Sequence, residues 1–386
     1  MERRLSELAT LVRGVTFSKS EGATSHSAGL LPVIRAGSIQ RQLLVDKDQI
    51  WVPKEKIRDE QLIRKDDIVM CTSSGSPSLV GKCAKSDRDW NGSFGAFCAG
   101  IRPKKEVCDA SFLYHFLSSP RFRAWSSGAE GANIKNIRAS ELAQFPVPNT
   151  PLSEQRRIAT ILDKADAIRR KRQQAIELAD QFLRSVFLDL FGDISSRGSK
   201  KVLLGDAVTI DAPMVDPKLK EYLDLVHIGP DRIEKETGRL LPALTARQEG
   251  LISNKFVFDD RYVLYSKIRP YLKKCALAVG RGLCSADMYP IRPNEDVMTR
   301  EFLWMMLLSG PFDAYVSSLP GRANIPKLNR TELSAFEFWL PDLRVQLKFS
   351  EVVKKTNALK ERLRATVDSP DTLFGALSQK AFAGKL

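Results

Sequence analysis

The sequence predicts an α+β protein: two repeated mixed α/β domains, each followed by a long helix, with the two helices pairing antiparallel as a coiled-coil spine. Three observations carry this reading. Short blocks recur at a separation of 190–191 residues along the 386-residue chain. Two stretches of about 40 residues keep an apolar 3–4 spacing, which marks one face of a helix. The segments ahead of them hold short β-branched and aromatic runs between Gly, Ser and Pro clusters, which mark strands and turns.

The repeat is read from its blocks. Ile101-Arg102-Pro103 recurs as Ile291-Arg292-Pro293, Phe112-Leu113-Tyr114 as Phe302-Leu303-Trp304, and Phe122 with Trp125 as Phe312 with Tyr315. After a one-residue shift, Ala132-Asn133-Ile134 recurs as Ala323-Asn324-Ile325, Glu141-Leu142 as Glu332-Leu333, and Gln155 as Gln346. Each match is weak alone, but a common offset is hard to reach by chance. Upstream the halves agree poorly, apart from Lys82-Cys83-Ala84 against Lys274-Cys275-Ala276. Each unit therefore has a divergent front and a better-kept back.

The expected divisions are 1–150, first domain; 151–193, central helix; 194–340, second domain; and 341–386, C-terminal helix. In the first domain, strands are expected within Leu31–Ile39, Asp67–Thr72 and Phe94–Ile101, followed by a short core helix at Ala110–Leu117. The central helix has Thr150 as its N-cap, Pro151 at the first helical position and Glu154 in the first turn. Its seam runs through Ile158, Leu162, Ile168, Phe182, Val186 and Leu190, and Gly192 closes it. At 1.5 Å per residue it spans roughly 60 Å. The second domain repeats the plan, with strands within Leu223–Ile228, Tyr262–Ser266 and Cys275–Val279 and a core helix at Arg300–Leu308. The last helix opens at Pro341-Asp342, and its seam includes Leu347, Leu359, Leu363, Phe374 and Phe382. Ser369-Pro370 is expected to kink or interrupt it. Neither seam is wide enough for burial all round, so the helices are expected to pack on each other.

Composition narrows the function. Hydrophobic residues are 43% and charged residues 27%, which excludes a largely disordered chain. The start, MERRLSELAT, has no apolar signal region, and no apolar run approaches the ~18–20 residues of a membrane span. The expectation is a soluble, cytoplasmic protein. Six cysteines without a C-x-x-C pair and three histidines assemble no zinc-ligand spacing, so no metal site is assigned. No catalytic residue is assigned either. No G-x-G-x-x-G follows a strand. Gly75 to Lys82 has one residue too many for a phosphate loop, and Cys83 stands where a magnesium-binding hydroxyl belongs. Asp66-Asp67 and Asp259-Asp260 read as solvated turn residues. A non-catalytic binding protein is favoured.

Lys+Arg is 60 against Asp+Glu 46, a net charge of +14, which favours an anionic partner: nucleic acid first, an acidic membrane surface second. The excess is spread over both halves. In the first domain the candidate DNA-binding residues are Ser73, Ser74, Ser76 and Lys82, followed by Lys85 and Arg88. In the second they are Lys267, Arg269, Tyr271, Lys273 and Lys274. Lys and Arg neutralise phosphates, hydroxyls donate to phosphates or base edges, and Arg grips guanine with two hydrogen bonds. A further pair of loops repeats Asn133 and Lys135 as Asn324 and Lys327, with Arg322 alongside. For the first loops the alternative is a solvated loop that touches nothing. For the second pair it is a structural turn.

At Pro151-Leu-Ser-Glu-Gln-Arg-Arg-Ile158, at Leu162-Asp-Lys-Ala-Asp166 and at Ser185-Val-Phe-Leu-Asp-Leu-Phe-Gly-Asp193, the sequence resembles the specificity subunit of type I restriction–modification systems. Lys267-Ile-Arg-Pro-Tyr-Leu-Lys273 and the ending Ala381-Phe-Ala-Gly-Lys-Leu386 are similar to it too. The resemblance implies two target recognition domains in pseudo-two-fold symmetry, each binding one half of a split site on double-stranded DNA, with the helices setting the spacer. It implies two modification subunits docked on those helices, joined by restriction subunits, and no membrane. The residues it marks for the spine and docking are Glu154, Gln155, Ile158, Leu162, Phe182, Phe187, Gln346, Leu359, Leu363 and Phe382. S-adenosylmethionine, ATP and Mg belong to the partner subunits, and no cofactor is expected on this chain. Val345 stands where the first copy has Glu154, so the two docking sites are expected to be unequal. The serine loop and the Lys-Ile-Arg-Pro loop differ, so the target is expected not to be a palindrome. The competing readings are a nonspecific basic nucleic-acid-binding adaptor and a DNA methyltransferase with unrecognised catalytic motifs.

Overall fold

A computed structural model describes residues 2–385 apart from 41, 128–135, 193–199, 211 and 321–325; for residues 77 and 366–373 it describes the backbone alone. The chain divides into two units, Met1–Arg172 with Ala365–Leu386, and Gln173–Arg364. Both boundaries fall inside long helices.

The first unit is built on a four-stranded antiparallel sheet of β1 (Ala9–Arg13), β2 (Ile68–Cys71), β3 (Cys83–Lys85) and β4 (Cys98–Pro103), in the order β1-β4-β2-β3. Ile68, Val69 and Met70 are fully buried, as expected for a central strand covered on both faces. A second, smaller sheet pairs Leu30–Ile34 parallel with Ser93–Phe94. Helix α1 (Ala110–Leu117) is capped by Asp109, whose side chain accepts from Phe112 N at 2.9 Å. It buries Phe112, Leu113, Phe116 and Leu117, so its apolar run is core as expected.

Helix α2 (Leu152–Phe191) follows. Gln155 N donates to Pro151 O at 2.9 Å, so the first intrahelical bond starts at Pro151, one residue later than the expected Thr150 cap. At the other end Gly192 takes φ +61°, and its N–H reaches Leu188 O at 2.7 Å. That left-handed closure costs a glycine no Cβ clash, which is why the helix stops there.

The second unit repeats the frame with β5 (Val208–Thr209), β6 (Val263–Ser266), β7 (Cys275–Leu277) and β8 (Met288–Pro293), antiparallel in the order β5-β8-β6-β7. His227–Ile228 runs parallel to Gly282–Cys284, matching the small sheet of the first unit. Helix α3 (Arg300–Leu307) is capped by Thr299 and buried along its whole length from Glu301. The fronts therefore share a topology that their sequences hide. Equivalent strands are 199 residues apart at Ala9 and Val208 but 190 apart at Cys98 and Met288, so loop-length changes destroy a constant offset upstream.

Helix α4 (Leu343–Phe382) runs unbroken through Ser369-Pro370, so the expected interruption is corrected. Proline removes one N–H from the ladder, and the turns on either side keep theirs.

Each unit is closed by parts of both long helices. In the first, Ile158 and Leu162 of α2 share a core with Ala381 of α4, and Phe382 packs on Phe112 and Phe116 at ring separations of 5.5 and 5.1 Å. In the second, Phe187 and Phe191 of α2 meet Phe302 and Phe349. There Asp180 pairs with Lys360 while Phe191 meets Phe349, so positions rise on α2 as they fall on α4. Within this unit the helix segments are antiparallel, as the seams predicted.

Candidate nucleic-acid interface

The candidate loop leaves the same strand in both units. After β2, Thr72 N and Ser73 N both donate to Phe97 O, at 2.9 and 3.1 Å, and Ile137 N donates to Thr72 O at 2.8 Å. After β6, Lys267 N donates to Asp287 O at 3.0 Å and Leu328 N to Lys267 O at 2.9 Å. Ser73 bridges Asn136, and Ile268 bridges Lys327. One backbone frame thus holds two loops of unlike composition. In each unit it joins the loop to the segment carrying the second candidate group. Asn133, Lys135, Arg322 and Asn324 themselves lie outside the described residues.

In the first unit Ser74 and Ser76 are joined within the loop that Ser73 opens, and Lys82 follows its end. Ser76 N donates to Ser74 Oγ at 3.1 Å, and the Ser76 and Ser78 hydroxyls are 3.0 Å apart. Lys82 Nζ donates to Gln40 Oε1 at 2.7 Å. Burial, then the nearby Arg123 guanidinium, holds the Lys82 ammonium below the usual lysine range. Lys85 and Arg88 do not join this group. Lys85 sits at the other end of β3, hydrogen-bonded to Ser111 Oγ and 4.0 Å from Asp66, and Arg88 is exposed just beyond.

In the second unit the loop is a single 3₁₀ turn, Pro270–Leu272, flanked by Arg269 at φ +48° and Lys273 at φ +49°. Two non-glycine residues in the left-handed region store backbone strain, which persists only where the surroundings over-determine it. The surroundings are visible. Arg269 N donates to Pro326 O at 2.9 Å, Lys273 Nζ lies 3.0 Å from Asp313 Oδ2, and Lys274 Nζ donates to Pro230 O at 2.7 Å. Lys267 Nζ rests 5.5 Å from the Tyr289 ring centre. Three of the four cations of this loop are thus turned onto the protein, while Arg269 and Tyr271 are exposed, Tyr271 at 59%. Exposed Lys327 lines a cleft of about 300 Å³ together with Tyr271, Asp313 and Glu332.

The remaining assignments fall out by burial. Gln155, Ile158, Leu162, Phe187 and Gln346 are buried in their own units, and Phe382 is packed on aromatic rings. They pack the long helices onto the globular parts of their own units. Phe182 and Leu359 are exposed, at 52% and 53%, Leu363 is half-buried, and Glu154 faces solvent paired with Arg157 at 2.8 Å. Asp67 is not the solvated turn residue expected. It is buried and takes two hydrogen bonds from Arg102, at 2.8 and 2.7 Å, tying β4 to the turn before β2. Asp259 is held by Arg261. Sequence reasoning missed Gln40, Phe97, Arg123 and Asp313. Their role is set by contacts made across about 25 residues for Phe97 and 40 or more for the others, although Arg123 and Asp313 do share one place in the repeat.

All six cysteines are free and buried. Burial pushes the Cys83 thiol up to about 11 and those of Cys98, Cys108 and Cys284 up to about 12, which leaves them unreactive near neutral pH. Among the described residues no group of three or more His, Cys, Asp or Glu could hold a metal ion, and no helix is long and apolar enough to cross a membrane.

Fold and site together define a class: a duplicated chain whose two units present unlike polar loops from one common frame, joined by two 40-residue helices. The family model for the type I restriction modification DNA specificity domain matches residues 1–178. The StySPI specificity subunit of Salmonella potsdam is 27% identical over 99% of this chain and 88% of its own length. The EcoKI specificity subunit of Escherichia coli K12 is 36% identical over 47% of this chain and 40% of its own length. Among solved structures, the type I specificity subunit from M. genitalium aligns over 99% of this chain and 96% of its own, with a TM-score of 0.59 at 15% identity. A chain from a type I restriction–modification assembly aligns over 100% and 98%, with a TM-score of 0.51 at 17% identity. At those identities the structural likeness speaks for the fold. Over nearly its whole length the chain is similar to type I restriction–modification specificity subunits.

Proposed function

We propose that this chain is the non-catalytic DNA-reading subunit of a type I restriction–modification complex. Each globular domain binds one half of a bipartite, non-palindromic site on double-stranded DNA. The two long helices set the spacer and dock two modification subunits, which restriction subunits join. S-adenosylmethionine, ATP and Mg act on those partners, in the cytoplasm. The functional division is 1–150, 151–193, 194–340 and 341–386.

One observation carries this reading: equivalent backbone frames hold chemically different loops, serine-rich after β2 and Arg-Pro-Tyr after β6. A shared frame supplies a shared docking geometry, while unlike side chains supply unlike base contacts. A nonspecific adaptor relying on net charge has no use for that difference. The direct test is binding of the chain, assembled with its modification subunits, to duplexes in which one half-site at a time is scrambled. Either scrambling should weaken binding at physiological salt. Affinity indifferent to base sequence contradicts the reading.

A further inference from the structure

Arg123 and Asp313 hold the same place in the repeat, the second residue of the Phe-x-Ala-aromatic block. Each reaches the candidate loop of its own unit. Arg123 donates from its two terminal nitrogens to Val80 O at 3.2 Å and Ser78 O at 3.0 Å, the closing carbonyls of the serine loop. Asp313 lies 3.0 Å from Lys273 Nζ, at the left-handed end of the Arg-Pro-Tyr turn. The charge at this position is reversed between units, and so is the group it meets: a cation on two carbonyls in the first, an anion on an ammonium in the second.

From this we propose that the position is a clamp for the recognition loop, and that Arg123 and Asp313 are positioning residues for half-site specificity. The inference rests on the DNA-reading function proposed above. Its physical content is coupling. Lys273 holds an unfavourable backbone conformation, and its ammonium is anchored on a helix, Gly310–Ser318, that does not belong to the loop. Release of the anchor frees the turn that carries Arg269 and Tyr271. A base contact read by a loop needs that loop fixed before binding, because ordering it at the interface subtracts from affinity for the right sequence. Lys273 is thereby removed from the set of direct DNA contacts. Its charge is engaged by Asp313, and its role is to aim Arg269. The pair is partly exposed, with side chains 26% and 40% accessible, so its contribution to global stability is small while its effect on loop geometry is local.

The test uses the full chain assembled with its modification subunits, and three duplexes: the methylated split motif and two versions with one half scrambled. Anisotropy titrations give a discrimination ratio for each half. Asp313→Asn should lower the ratio for one half by about tenfold, the size of a coupled pair, and leave the other within about twofold. Arg123→Met should do the same to the opposite half. The exchange Lys273→Asp with Asp313→Lys should recover most of the loss, since it keeps the ion pair. Thermal unfolding of each variant accompanies the titrations, and a merely structural role would move that melting temperature and both ratios together. Equal loss at both halves, no loss at either, or an exchange no better than Asp313→Asn in a chain of unchanged melting temperature overturns the clamp. If the unaltered complex itself prefers neither half, it is the DNA-reading function that fails, not the clamp.

Discussion

Gln155 and Gln346 make the same three hydrogen bonds in their separate units. Gln155 Oε1 accepts from Asp109 N at 2.9 Å, and its Nε2 donates to Val107 O at 3.1 Å and Thr150 O at 2.8 Å. Gln346 Oε1 accepts from Thr299 N at 2.9 Å, and its Nε2 donates to Val297 O at 3.0 Å and Pro341 O at 2.9 Å. Each glutamine ties the first turn of a long helix to the residue that caps a short core helix. Both are buried, at 2% and 0% exposure, so the amide replaces water that is not there. Replacing either by Ala strands one N–H and two carbonyls, which costs roughly 1–3 kcal/mol or more. Urea unfolding should show a loss of that size for each variant. A change near zero would mean that water reaches the site.

Lys360 is buried on α4 and lies 2.7 Å from Asp180. Lys360→Met leaves the carboxylate of Asp180, itself only 18% exposed, without its counter-ion. Breaking a buried pair from one side costs roughly 3–5 kcal/mol, whereas replacing both partners by apolar residues is often neutral. A double-mutant cycle with Asp180→Leu should therefore return most of the loss. Additive losses would mean that the pair is effectively in water.

Arg269 is exposed at the head of the Arg-Pro-Tyr turn. Arg269→Ala should lower discrimination at one half-site by about 1–3 kcal/mol and leave the other half unaffected. Binding to duplexes with single substitutions in each half measures this. Equal weakening across all sequences would mean that Arg269 meets phosphate.

Phe97 is 70% exposed, and its carbonyl takes the Thr72 and Ser73 amides of the serine loop. An exposed phenyl beside a candidate base-reading loop is a surface for apolar contact with a base. Phe97→Ser should leave the melting temperature unchanged and weaken the half-site that Arg269→Ala spares. A lowered melting temperature would show instead that the ring supports the turn.

The repeat and the two long helices were legible because they rest on local periodicity, and on blocks such as Ile101-Arg102-Pro103 that fill the same core position twice. The duplicated sheets were not, because the offset drifts as loops change length between Ala9 and Cys98. The candidate loops were legible by composition, but their internal order was not. Composition marked Lys273 and Lys274 as cations but could not show that Asp313 and the Pro230 carbonyl engage them, partners 40 and 44 residues away. Asp67 failed for a related reason: its place ahead of a strand suggested solvent, and only the pairing of β2 with β4 brings Arg102 over it. At Pro370 the helix continues instead of ending, since the flanking turns keep their own N–H donors.

The central claim is that two unlike loops on one repeated frame read two unlike half-sites at a fixed separation. Mapping methylated adenines in the genome of a strain carrying this chain with its modification subunits, and in the same strain lacking the chain, tests it most directly. The account predicts a split motif with two different halves at one constant spacing, lost when the chain is absent. A contiguous or palindromic motif, or adenine methylation that persists unchanged without the chain, would contradict it.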